Sequence, residues 1–543
     1  MVCSGHMEGA PSANTELWRP IYYLQLDFNG HSTTVNFFPQ DYALANAPQL
    51  IEPTLVNGQR MGINPVTGQT YPMVDIGAEV PGTGVLLNGL KILGQNGISK
   101  YMTESPGILP APRFGLTYDL TGRRNTVLHA GGGMFTDRFM TDTQNAPTAN
   151  PPNTYTPVVN YGYASDLASG TPLLSPSNLT SLSYNTPIDK IYNYSLGVGS
   201  RLSKALRLDV SYVGGVFNYL PKTMNINAVP FGADFLPQNQ DPTLVAANPT
   251  ALLGSNAMLP QFLRPYVGYG AITMADFGAN SNYNSLQVEL NRRFATGVFF
   301  GAAYTWSKCM NMVDNTNGAS VRWDQYSHQA LYGPCSWNPT QNLVINYVYQ
   351  LPKIPSGSSF NNRGSRAILN DWQLSGLTVF TGGLPYSPSF SVSGVSGQNI
   401  TGTPDWAPDL LCVGNPRAGT TSSPYNRINA AAFAVPPVGS IGLGCARNDL
   451  WGPGVNNWDM SLQKNVRLTE HAQIQLRVEA FNVFNHTQFN GVNSGISYSS
   501  LTNPVPTNLP YNSAGQLVNI NGFGTVSSVL DPRVLQLVAK FVF

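Results

Sequence analysis

Charge is the first thing this chain has little of. Only 10% of its 543 residues are Asp, Glu, Lys or Arg, against roughly 25% in an ordinary soluble domain. The formal net charge is +1, so no field draws the chain to nucleic acid or to an anionic surface. A transmembrane helix is missing too, because no stretch approaches the roughly 18 consecutive apolar residues that one needs. The start, "MVCSGHMEGAPSANTELW", lacks the apolar core of a signal peptide, and no apolar run precedes Cys3 as a lipoprotein signal would require. Residues 1–19 therefore read as a ragged start. The chain is either cytoplasmic or lacks its true beginning.

Catalytic and metal motifs are also absent. His6, His31, His129, His328, His471 and His486 are scattered, none with a second ligand at zinc spacing. No G-x-S-x-G and no phosphate-binding P-loop occurs. The run "HAGGGMF" (129–135) follows no strand–helix phosphate motif, and its glycines are expected to let a plug or a neighbouring loop approach closely. Neither an enzyme nor a cofactor is indicated.

What fills the chain is neutral and polar: 53 Gly and 42 Pro, with abundant Asn, Ser and Thr. Within it runs a period of two. "RLDVSY" sets Leu208, Val210 and Tyr212 against Arg207, Asp209 and Ser211. "NSLQVELN" sets Leu286, Val288 and Leu290 against Gln287, Glu289 and Asn291. "QIQLRVEA" sets Ile474, Leu476, Val478 and Ala480 against Gln473, Gln475, Arg477 and Glu479. Such alternation marks half-buried antiparallel strands. Twelve candidates lie near 20–28, 112–120, 126–135, 191–200, 206–214, 283–293, 298–308, 341–351, 371–381, 457–466, 473–484 and 533–543.

The connections alternate. Tight turns at 121–125, 201–205, 293–297 and 467–472, and a medium one after 351, separate long segments near 29–111, 136–190, 215–282, 309–340, 382–456 and 485–532. Loops longer than about 15 residues are uncommon in compact domains. Six in strict alternation match an outer-membrane barrel, with short periplasmic turns and long extracellular loops. Hydrocarbon offers no hydrogen-bond partner, so spanning strands must pair on both edges. One face then meets lipid and the other water or a plug, with aromatics at the two interfaces. Tyr304, Trp306, Phe481 and Phe484 sit toward strand ends accordingly. A soluble β-protein explains the alternation but not the loop asymmetry. The fold expected is all-β, an antiparallel transmembrane β-barrel of about 12 strands, with almost no helix.

Several stretches carry a family resemblance: "PRFGLTYDLTGRRNTVLHAGGGMFTDRF" (112–139), "NYNSLQVELNRRFATGVFFGAAYTWSK" (282–308), "DWQLSGLTVFTGGLPYSP" (371–388), "RVEAFNVFNHTQFN" (477–490) and "FGTVSSVLDPRVLQLVAKFVF" (523–543). In this order they resemble the barrel of Oar-like TonB-dependent outer-membrane receptors, and "LVNGQRMGINPVTGQTYP" (55–72) resembles the first extracellular loop of that family. The resemblance implies a plan of signal peptide, accessory β-domain, plug and a barrel of about 22 strands. Residues 20–543 would then be the C-terminal part of such a barrel, without its plug, and the strands would form an open or loosely closed sheet. It also implies partners: outer-membrane lipid, the barrel-assembly machinery, a plug domain, the TonB energy-coupling protein and an unidentified solute. The family often has an Asp and a His where this chain reads "SWNPTQN" (336–342), which leaves any role of those side chains without a carrier here. A structural or adhesive outer-membrane protein is the alternative function, and a secreted soluble β-protein a third.

Three sets of residues become candidates. The closing strand aligns Leu535, Leu537, Ala539, Phe541 and Phe543 on one face, and the resemblance assigns this terminal-aromatic pattern to recognition by the assembly machinery. Arg207, Asp209, Gln287, Glu289, Gln475, Arg477 and Glu479 form the polar faces that would line a lumen. Cys309 and Cys335 fall in or beside one long loop, and Cys412 and Cys445 share the next. Four cysteines allow three pairings. The pairs Cys309–Cys335 and Cys412–Cys445 each stay within one loop, and an oxidising exterior favours them. The loops themselves are expected to have little core.

Overall fold

The computed structural model describes residues 34–99, 108–137, 146–156, 158–162, 173–185, 187–314, 331–359, 361–442, 444–445, 447–469 and 472–543. The candidate strand at 20–28 lies outside them. Eleven strands form one antiparallel meander in chain order: β1 (Arg113–Asp119), β2 (Thr126–Phe135), β3 (Lys190–Arg201), β4 (Leu206–Asn225), β5 (Tyr269–Ala295), β6 (Val298–Asn311), β7 (Gln341–Gln350), β8 (Trp372–Thr381), β9 (Val455–Arg467), β10 (Gln473–Phe481) and β11 (Val534–Val542). β1 and β11 are the edges, and no pairing joins them among the described residues. The sheet is open.

The alternation in each strand becomes a two-sided sheet because the register keeps like with like. On one side Asp209 faces Glu289, Ser211 faces Gln287, and Arg477 lies between Gln463 and Val538. On the other Val210 faces Val288, and Val478 lies between Leu462 and Leu537. A one-residue slip would exchange the two faces throughout, so the register is strongly specified.

The turns at one end are tight for local reasons. Ala295 pairs with Val298 across Thr296 (φ 51°) and Gly297 (φ 76°), the positive-φ pair that a two-residue hairpin turn matched to strand twist requires. The medium connection carries a short helix, Arg363–Leu369, capped by the Asn362 side chain accepting from the Ser365 N–H.

The other end departs from expectation in two ways. Segment 215–282 is not all loop: β4 continues for 20 residues and β5 for 27. At about 3.3 Å per residue β5 would reach roughly 90 Å, far beyond the apolar band of about 25 Å on a barrel. Its register with β4 shifts around Leu220, where Tyr219 takes φ 63°. Such an irregularity bends the projecting hairpin.

The second correction concerns the core. Every buried apolar side chain among the described residues lies in the long segments, in the distal part of β5 (269–279), or at Cys309 near the end of β6. The sheet between them contributes none. One cluster joins Val35, Phe37, Leu90, Leu179, Tyr269 and Ile272 around the hairpin, with Phe37 edge-on to Tyr266 and Tyr269 at 5.2 and 5.6 Å between centroids. A larger one unites loops 382–454 and 482–533 through Leu410, Phe433, Leu450, Ile496, Tyr498 and Phe523. There Ser389–Val392 pairs in parallel with Gly495–Tyr498. Polar composition hid these cores because their apolar residues are spaced irregularly, with no period to reveal them.

One glycine of 129–135 has a use within the sheet itself. A Cβ on Gly132 would overlap the Phe114 ring of β1. Gly132 thus makes room for a ring from the adjacent strand.

Candidate solute-facing site

The apolar side of the sheet stays open. Leu476 is 46% and Leu537 is 79% exposed, although both sit mid-strand. Exposed leucines in register on neighbouring strands form a continuous apolar face of the kind that needs an apolar solvent. Aromatics bracket it. Trp306, Tyr304, Phe380 and Trp458 lie toward the long-loop end, and Tyr349, Trp372 and Phe541 toward the turns. Phe484 packs edge-on against Trp458 at 5.7 Å, whereas Phe481 falls on the polar side by register. Tyr194 and Tyr212 stack at 6.2 Å and both donate to Asn284 Oδ1, at 3.0 and 2.6 Å. Their rings lie along the apolar face while the hydroxyls are satisfied, which suits a membrane interface. Lys464, on this face near the turns, lies 5.5 Å from the Trp372 ring and donates to the Asn370 carbonyl.

The polar side collects the expected hydrophilic residues. Asp209 accepts from Ser211 at 2.9 Å and lies 3.5 Å from Arg207. His129 Nε2 is 3.1 Å from Ser211 Oγ and 3.7 Å from Asp209, and a Cβ on Gly197 would occupy that space. Arg477 donates to Glu479 at 2.9 Å. Gln475 faces Asn465 and Lys540. Several of these groups bond to one another, and together they present donors and acceptors to whatever occupies that side. The arrangement can hydrate a lumen or hold a plug.

Above the sheet, the loops are tied by polar clasps that no sequence spacing announces. Arg447 donates to Asp314 at 2.6 Å, to the Leu331 carbonyl at 2.8 Å, and to Asn311. Burial pushes the Asp314 carboxyl up, but the Ser336 N–H, the Asn448 amide and the Arg447 charge outweigh it and hold the group below the usual carboxylate range. A second clasp sets Arg264 2.7 Å from Asp405, which also accepts from the Val229 N–H at 2.8 Å. Asp234 lies in the same region, and burial, with the Asp405 charge behind it, pushes its carboxyl to about 6.

The cysteines sit in this layer. Cys309 is bonded to Cys335, with Cα atoms 5.4 Å apart, and Cys412 to Cys445, at 5.1 Å. The first closes the base of the loop after β6. The second packs against the core shared by loops 382–454 and 482–533.

A model of the outer membrane β-barrel domain matches residues 23–536. The chain belongs to that family. It is therefore a protein of the outer membrane, and the exposed apolar face is the one that lipid covers. No curated protein matches the sequence. Among solved structures it is similar to the outer membrane transporter YddB from Escherichia coli, at 8% identity and TM-score 0.38 over 80% of this chain and 40% of that one. It is also similar to the siderophore receptor PiuA from Acinetobacter baumannii, at 9% identity and TM-score 0.34 over 79% and 35%. The FrpB iron transporter from Neisseria meningitidis matches at 10% identity and TM-score 0.33 over 79% and 39%. The chain thus spans two-fifths or less of these neighbours, and similarity at this level carries no functional argument.

Proposed function

We propose that this chain is the barrel portion of an Oar-like, TonB-dependent receptor that takes a solute across the outer membrane. The observation that carries the reading is the distribution of its core. Buried apolar residues, both disulfides and the Arg447 and Arg264 clasps are gathered at one end of the sheet. The opposite end carries short turns such as 296–297 and 202–205. A pore that only passes small solutes needs no such folded superstructure; a surface that captures a scarce solute does. The polar sheet face, with Arg207, Asp209, Gln287, Glu289, Gln475, Arg477 and Glu479, would line the lumen around a plug domain. TonB would supply the energy that moves the plug. Leu535, Leu537, Ala539, Phe541 and Phe543 would serve as the signal for the barrel-assembly machinery. They lie on or just beyond the edge strand β11, and Phe541 and Phe543 pack at 5.8 Å between centroids.

The test compares the wild-type bacterium with strains lacking this gene or lacking TonB, by profiling which solutes each removes from the medium. A shared set left behind in both mutants is the expected result. Loss of surface attachment with unchanged solute depletion would favour the adhesive alternative instead.

A further inference from the structure

A cavity of about 520 Å³ opens in the loop layer, between the residues around 79–88, the segment 151–155, residues 173–177 and the start of β5. That is within the range of small-molecule sites, which are mostly apolar with a few placed polar groups. Its walls are Pro48, Val80, Leu86, Leu173, Leu174 and Val267. Most of its polar groups are already engaged. Tyr269 donates to the Asn88 carbonyl at 2.7 Å, Thr83 donates to the Val80 carbonyl at 2.7 Å, and the Asn88 amide brackets the Ala43 backbone at 2.9 Å.

Two of the remaining groups matter for binding. The Tyr155 hydroxyl is buried without a hydrogen-bond partner. The Glu79 carboxylate has neither a hydrogen bond nor an ion pair among the described residues, though its backbone is pinned by the Glu79 N–H donating to the Leu174 carbonyl at 2.8 Å. The two are close enough that the Glu79 charge perturbs Tyr155. Among the described residues that line the cavity there is no Lys, Arg or His. A partly buried carboxylate without a partner costs free energy that a bound cation would recover.

We propose that this cavity binds a small amphiphilic amine. Glu79 receives the ammonium, the Tyr155 oxygen accepts a second of its N–H groups, and the aliphatic body lies against Leu173, Leu174 and Val267. The assignment rests on the reading that the loop layer is the solute-capturing face, and it names the chemical class captured there. Anionic solutes are rejected, since no described residue of the wall neutralises Glu79.

Burial pushes the empty Glu79 carboxyl up to about 6. The groups facing it, Tyr155 and Tyr269, stay neutral in this range, both shifted upward by burial. An amine remains protonated, so binding follows Glu79 ionisation and is about tenfold weaker at pH 5 than at pH 7.

The experiment titrates the full chain in detergent micelles with cyclohexylammonium, cyclohexanol and cyclohexanecarboxylate by calorimetry, against micelle blanks. Expected are binding of the ammonium at least about tenfold tighter than the alcohol, none of the carboxylate, and the pH dependence above. Glu79→Gln brings the ammonium down to the affinity of the alcohol. Val85→Trp, at an exposed position on the rim, blocks both. Equal affinity for all three probes, or a flat response between pH 5 and 7 in the unaltered chain, overturns the proposal even if Glu79→Gln fails to fold. Amine binding that persists while energised uptake is absent would instead defeat the receptor reading and leave the site standing.

Discussion

Arg447 and Asp314 meet at 2.6 Å across 133 residues of chain, joining the loop after β6 to the loop after β8. The contact is part of a network: Asn448 donates to Asp314 at 2.8 Å and to the Pro334 carbonyl at 2.9 Å. Arg447→Ala would leave a partly buried carboxylate short of its charged donor, at a cost of about 1–3 kcal/mol. Arg447→Lys should recover only part of this, because one ammonium cannot span the same set of acceptors. Hydrogen exchange of 331–340 and 382–454, compared with the sheet, checks both. Exchange that rises equally everywhere would contradict a local clasp.

The same carboxyl sets an acid limit on the clasp. Asp314 is held below its ordinary value. The stability it contributes is therefore present above the unfolded value of about 3.9 and lost as pH falls through the depressed one. Limited proteolysis should find the two loops protected at pH 5 and opening only in stronger acid, with Asp314→Asn opening already at pH 5.

Asp234 acts with the opposite sign. Its carboxyl is raised to about 6, so the folded state holds the proton more tightly than the unfolded chain does. That contribution is full below the unfolded value and is lost as pH rises from about 4 through about 6. The wild type should lose stability over this interval relative to Asp234→Asn, and the difference should be constant above pH 7. Denaturant midpoints for the two proteins across pH 4–8 measure it.

Reducing the disulfides should loosen the loops and spare the sheet. The pairs close 26 and 33 residues of separation, and crosslinks of that span contribute about 3–4 kcal/mol each in the chain-entropy account. Cys412→Ser with Cys445→Ser is expected to expose the core around Phe433 and Phe523, which face each other edge-on at 5.7 Å. Dye binding to apolar surface reports it. An unchanged signal would mean that the core holds without the crosslink.

Neighbouring residues on β10 should differ in what they face. A maleimide that cannot cross the membrane should label Arg477→Cys and leave Leu476→Cys unlabelled in intact outer membranes. Arg at position 476 should cost about 2–4 kcal/mol if the site is near mid-membrane. Labelling of both cysteines alike would put water on both faces.

Much of the sheet is legible from side-chain types alone, because a period of two assigns each residue a face wherever one face meets lipid. Leu476 and Arg477 could be assigned to opposite sides before any coordinates, and the Thr296–Gly297 turn is local chemistry. Tertiary structure decided the rest. The β4–β5 hairpin runs past the apolar band because Leu179, Tyr269 and Ile272 pack against Val35 and Phe37, far away in the chain. Arg447 finds Asp314, Arg264 finds Asp405, and Glu79 is left without a partner among the described residues, only once the loops have folded on one another. The reason is physical: alternation is a local property of one strand, whereas a clasp or a cavity depends on the mutual placement of segments more than a hundred residues apart.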